Sequence, residues 1–167
     1  DYIERAKFIL SKYLTDFTAD EIEYCVTKAY TSKFDSESPA PVVKLTDNSY
    51  VCELWHGPTC AFKDIALQIL PYLMKISIKK TGEDKTVVIL VATSGDTGKA
   101  ALEGFKDVEG TKIIVFFPND GVSDIQKLQM VTQKGNNVYV FGIKGNFDNA
   151  QRSEEHTSEL QSRLHLV

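Results

Sequence analysis

The sequence is short of several features that would each point to a class of function. Its three cysteines, Cys25, Cys52 and Cys60, are an odd number with no C-x-x-C among them. That argues against a disulfide framework or a zinc site and for a reducing compartment. Positive charge is not in excess: 19 Lys+Arg stand against 23 Asp+Glu, a net charge of −4. Such a chain offers no basic field to nucleic acid or to an anionic membrane. No apolar run approaches the ~18–20 residues of a membrane span, and no charged-then-apolar leader opens the chain at Asp1. Internal repeats and long linkers are also missing. What remains, at 43% hydrophobic and 25% charged over 167 residues, is the composition of a globular α/β chain, expected in the cytoplasm.

The last stretch, residues 152–167, changes character. It can be read as an amphipathic helix with Ser153 as N-cap and Leu160, Leu164 and Val167 on one stripe. Its opening, RSEEHTSELQS, also resembles the in-frame translation of a common sequencing-library adapter. Residues 152–167 are therefore expected to be a non-native tail and are set aside, His156 and His165 with them. The sign of the net charge is unaffected.

Along the rest of the chain, residues 3–14 and the segment after Thr18-Ala-Asp-Glu21, a capping box, have helical spacing. The Ser38-Pro39-Ala40-Pro41 run closes this N-terminal helical segment, 1–40. An α/β portion over 41–151 follows. Residues 50–55 (YVCELW) read as a strand, and Phe62 to about Lys80 as a helix that Pro71 should kink or break. Residues 86–92 (TVVILVA), 112–117 (KIIVFF) and 137–143 (NVYVFGI) read as strands, the first two buried on both faces. Helices are expected over 97–105 and 123–134, with another starting at Asn146 or Asp148. Strands alternating with helices predict a partial parallel sheet with flanking helices.

Ligands of an open parallel sheet bind where strand ends turn into helices, and two loops there carry unusual chemistry. In His56-Gly57-Pro58-Thr59-Cys60-Ala61-Phe62-Lys63-Asp64, Lys63 falls at a helix start. A cation there opposes the helix dipole at a cost of ~0.3–1 kcal/mol. The same field favours a neutral amine, the nucleophile that condenses with an aldehyde. An ordinary solvent-facing lysine fits the position equally. In Ala92-Thr93-Ser94-Gly95-Asp96-Thr97-Gly98, two hydroxyls and a run of backbone N–H groups suit a phosphate or carboxylate. Asp96 is better placed to meet a hydroxyl or a protonated group. Gly98-Lys99 is not a P-loop, since Thr93 and Ala100 stand where a glycine and a Ser/Thr belong.

HGPTCAFKD (56–64) and ATSGDTG (92–98) together resemble the threonine synthases, pyridoxal-phosphate enzymes of fold type II, the tryptophan-synthase-β type. FFPNDGVSDIQKLQM (116–130) and GNFDNAQ (145–151) are similar to further family segments, in the same order. The resemblance implies that Lys63 carries the cofactor and shuttles protons at the substrate's Cα and Cβ. It also implies that Phe62 lies against the ring, that Asp96 faces the 3′-oxygen, and that Ser94, Gly95 and Thr97 receive the substrate carboxylate. His56 either helps bind phosphate or fixes the Gly57-Pro58 turn.

The implied reaction is that of a carbon–oxygen lyase acting on phosphates. O-phospho-L-homoserine loses its γ-phosphate and water adds at Cβ, giving L-threonine. A related phospholyase, and a non-catalytic anion-binding remnant of the same fold, are the alternatives. The family's glycine-rich loop for the cofactor phosphate, similar to SGNFGD, has no counterpart in these residues. Gly145-Asn146-Phe147-Asp148 aligns with a helix start instead. The residues are thus expected to be an internal portion of a two-domain enzyme, unable alone to hold the cofactor tightly.

Overall fold

The structure, a computed structural model, describes residues 1–152 and 155. The helix reading of the tail, with Ser153, His156, Leu160, Leu164, His165 and Val167, lies outside them. The chain forms two compact units, Asp1–Asp84 and Lys85–Val167. Among the described residues no helix is long and apolar enough to cross a membrane.

The first unit is built on helices α1 (Tyr2–Tyr13), α2 (Ala19–Tyr30) and α4 (Leu70–Thr81). The capping box forms as its sequence requires: Glu21 N–H donates to Thr18 Oγ1 at 3.2 Å, and Thr18 N–H donates to Glu21 Oε2 at 2.8 Å. This sets α2 so that Ile22, Cys25, Val26, Ala29 and Tyr30 face inward, where they meet Ile69 in the core. Ile3, Ala6 and Leu10 of α1 and Leu73 and Ile76 of α4 pack around it. The packing boundary therefore lies at 84/85, although the prolines end the helical run near residue 40, because α4 shares the core of the N-terminal helices.

Between them lie an antiparallel hairpin, β1 (Val42–Thr46) and β2 (Ser49–Cys52), and the single-turn helix α3 (Asp64–Leu67). The strand expected over 50–55 thus stops at Cys52 and has a partner strand that sequence reading missed. The expected break at Pro71 is present: α3 ends at Leu67 and Pro71 sits in the first turn of α4. Proline has no N–H for the Leu67 carbonyl, and a first turn is where that loss costs least.

In the second unit, β3 (Val87–Ala92), β4 (Thr111–Pro118) and β5 (Val138–Ile143) form a parallel sheet in the order β3-β4-β5. Helices α5 (Asp96–Phe105) and α6 (Asp124–Val131) connect them. Alternation along β4 buries Ile113, Val115 and Phe117. Ala100, Ala101, Leu102 and Phe105 of α5, with Met130 of α6, are buried as well. The opposite face of β4, with Ile114 and Phe116, is only half-buried. Burial on both faces, expected from the unbroken β-branched runs, is therefore not found. A final helical stretch begins at 147, where Asn146 and Asn149 cap each other reciprocally, Oδ1 accepting from N–H at 3.0 and 3.1 Å.

Candidate active site

The candidate residues fall on two loops, one in each unit. His56, Phe62 and Lys63 lie on the first; Ser94 and Gly95 lie on the second, and Asp96 and Thr97 in the turn of α5 that it opens.

The first loop leaves β2 and turns at Gly57-Pro58-Thr59-Cys60, where Cys60 N–H donates to the Gly57 carbonyl at 3.0 Å. Proline at the second position presets this turn, and Cys60 closes it with φ +57°. Asp64 then fastens the loop. Its carboxylate is 0% exposed and accepts from Thr59 N–H at 2.8 Å and from Thr59 Oγ1 at 2.7 Å. The carboxylate packs so closely on Gly57 that a Cβ there would lie 2.5 Å from it. Between turn and staple the chain presents Phe62, 58% exposed, and Lys63.

Lys63 Nζ stands 4.9 Å from the centre of the Phe62 ring. It has no carboxylate partner among the described residues. Lys63 occupies the position before α3, which is a single turn. A helix that short has little dipole, so the expected field on the amine is replaced by an aromatic face.

His56 is committed elsewhere. Its Nδ1 lies 2.6 Å from Asp35 Oδ1 and its Nε2 2.7 Å from Glu53 Oε2, and its ring stacks on Trp55. Asp35 N–H also donates to the His56 carbonyl at 3.0 Å. The hydrogen bond to Glu53, then that to Asp35, raises the histidine above its usual range and favours the imidazolium. With both nitrogens on carboxylates, the ring has none left for a phosphate. It ties the 31–38 segment to the end of the hairpin, just before the Gly57-Pro58 turn.

In the second loop the backbone is organised from below by Thr93, which sequence reading noted only for failing a nucleotide motif. Buried Thr93 Oγ1 accepts from the N–H groups of Gly95 and Gly98, both at 3.0 Å. Two of the N–H groups expected to form an anion cradle are thus spent inside the loop. Gly98 is required, because a Cβ would collide with Thr93 Cγ2. What the loop leaves open are the hydroxyls of Ser94 and Thr97, which have no partner among the described residues.

Asp96 is exposed, and its Oδ1 accepts from Gln126 Nε2 at 2.9 Å. Gln126 is the second residue of the site that sequence reading missed; it stood there only within the family-like segment 116–130. Gly95, with φ +150°, lies directly against its amide, leaving no room for a side chain.

The second loop leaves the carboxyl end of the parallel strand β3, as the sequence predicts, whereas the first leaves an antiparallel hairpin and not the parallel sheet. No family model matches the chain. Threonine synthase-like 1 of Pongo abelii is 38% identical over 157 residues, 90% of this chain and 21% of that protein. Threonine synthase of Pseudomonas aeruginosa is 39% identical over 150 residues, 90% of this chain and 32% of that protein. The crystal structure of threonine synthase from Brucella melitensis, with pyridoxal phosphate bound, superposes with a TM-score of 0.82 at 38% identity, covering 91% of this chain and 32% of that one. The chain therefore belongs to the threonine synthase-like proteins of fold type II and spans about a fifth to a third of the length of these relatives.

Proposed function

We propose that the protein to which these residues belong is a pyridoxal-phosphate-dependent threonine synthase, converting O-phospho-L-homoserine and water to L-threonine and phosphate. The observation that carries the reading is Lys63: a half-buried amine without a carboxylate partner among the described residues, held over an aromatic ring in a stapled loop. These residues fit the cofactor. Lys63 supplies the amine that captures its aldehyde, Phe62 an apolar face for its ring, and Asp96 an acceptor for its 3′-oxygen.

When bound, the cofactor supplies an electron-withdrawing ring that stabilises negative charge on the substrate carbons beside it. The chain does the rest. Ser94 and Thr97 turn free hydroxyls toward the substrate carboxylate, and Gly95 lets that carboxylate approach the backbone. Lys63 Nζ takes the proton from Cα and then one from Cβ; the Cγ–O bond breaks and phosphate leaves, Cγ and Cα regain protons, and water adds at Cβ. His56 contributes by fixing the entry to the lysine loop.

The test uses the complete polypeptide. Borohydride reduction in the presence of pyridoxal phosphate, followed by peptide mapping, should label residue 63 and fail in Lys63→Ala. Incubation with O-phosphohomoserine should then release threonine. Formation of 2-oxobutyrate in its place would identify a phospholyase. A label on another lysine would refute the role of Lys63, and no label at all would reduce the protein to an anion-binding remnant of the fold.

A further inference from the structure

Gln126 has two tasks at once. Its Oε1 accepts from Ser123 N–H at 3.2 Å and from Ser123 Oγ at 3.1 Å, while its own N–H donates to Ser123 Oγ at 3.3 Å, so the residue caps α6. Those contacts fix which end of the amide is oxygen and leave Nε2 as the end that reaches Asp96, thirty residues earlier. The approach is tight, since the amide rests on the backbone of Gly95, where only glycine fits. One side chain thus joins the first turn of α6 to the loop that follows β3.

We propose that Gln126 is a positioning residue: its amide holds Asp96 Oδ1 and thereby aims Oδ2 at a hydroxyl or protonated group of the bound cofactor. The inference rests on the functional reading above, in which Asp96 faces the cofactor's 3′-oxygen. An exposed carboxylate at the start of α5 samples several rotamers, and a donor with fixed orientation selects one. The selected carboxylate keeps one oxygen free. It can accept a hydrogen bond from a ligand and repels an anion, so it discriminates the oxygen-bearing edge of the cofactor from its phosphate.

The substitution that separates this role from helix capping is Gln126→Glu. A glutamate accepts from Ser123 just as glutamine does, so the α6 cap survives. The donor to Asp96, however, becomes a carboxylate oxygen of like charge. In the complete polypeptide without cofactor, the Gln126 side-chain amide protons should exchange slowly. They should be released by Asp96→Ala and kept by Ser123→Ala, which retains the backbone N–H bond to Oε1. With pyridoxal phosphate added, Gln126→Glu should weaken cofactor binding about tenfold and change the pH dependence of the bound cofactor's absorption. Its melting midpoint should stay near that of wild type.

Ser123→Ala should do the reverse, lowering the melting midpoint and leaving the spectrum alone. Wild-type protein that captures cofactor, together with a Gln126→Glu variant of unchanged affinity and spectrum, overturns the inference and leaves the functional reading standing. Wild-type protein that captures no cofactor overturns both.

Discussion

Replacing Asp64 with alanine removes both oxygens to which Thr59 donates, at a position closed to solvent. Hydrogen bonds to charged groups contribute about 1.5–3 kcal/mol each. The Thr59 hydroxyl, on a half-buried residue, can turn to water and recover most of its share. Its N–H is fixed by the turn and cannot. The expected loss is therefore about 3 kcal/mol, from one full bond and a fraction of the second.

Asparagine at 64 keeps the shape. Its Oδ1 accepts from the N–H and its Nδ2 donates to Thr59 Oγ1, which can act as acceptor. Only charge assistance disappears, at a cost of about 1 kcal/mol. Native-state hydrogen exchange at the Thr59 amide in the complete polypeptide reads this directly. Exchange should be on the order of a hundredfold faster in Asp64→Ala and about fivefold faster in Asp64→Asn. If alanine leaves the amide within twofold of wild type, or if asparagine does as much damage as alanine, the carboxylate is not what holds the lysine loop.

Two further outcomes follow from the site. His56 is raised above its ordinary value in the fold. The stability it contributes is thus fully present below about pH 6.5 and is lost as pH rises through the raised value. The urea midpoint should fall over that range, and the fall should flatten in His56→Gln. Gly98→Ala forces a Cβ onto Thr93 Cγ2 and should destabilise the second unit by about 1–3 kcal/mol. Combining it with Thr93→Ser, which deletes that methyl and keeps the hydroxyl, should restore part of the loss in denaturant unfolding.

The parts of the fold that the sequence made legible depend on neighbours in the chain. The β-branched runs at Val87–Ala92 and Thr111–Pro118 become parallel strands, the Thr18–Glu21 box caps α2, and Pro71 breaks the helix. The hairpin partner at Val42–Thr46 was missed because every one of its residues is exposed, so burial left no alternation to read. The commitments inside the site were hidden for a different reason. His56 meets Asp35 across 21 residues and Gln126 meets Asp96 across 30, distances at which spacing carries no signal. Thr93 was hidden by its modesty, since a lone threonine does not announce that it will absorb two backbone N–H groups. Lys63 and the Ser94–Thr97 run stood out because they fall where a strand turns into a helix and carry an amine and hydroxyls there, a property of local sequence and not of packing.

The same separations set an order of events at the ribosome. Among the described residues, the hydrogen bonds that brace the lysine loop, from Asp35 to Asp64, are made with residues already synthesised or within a few residues of it. The loop after β3, by contrast, waits for Gln126. At roughly 5–20 residues per second, that interval is roughly 2–6 s of translation, during which Gly95 and Asp96 are exposed without their brace. A nascent chain arrested inside that window carries its lysine loop already closed and its later carboxylate still loose.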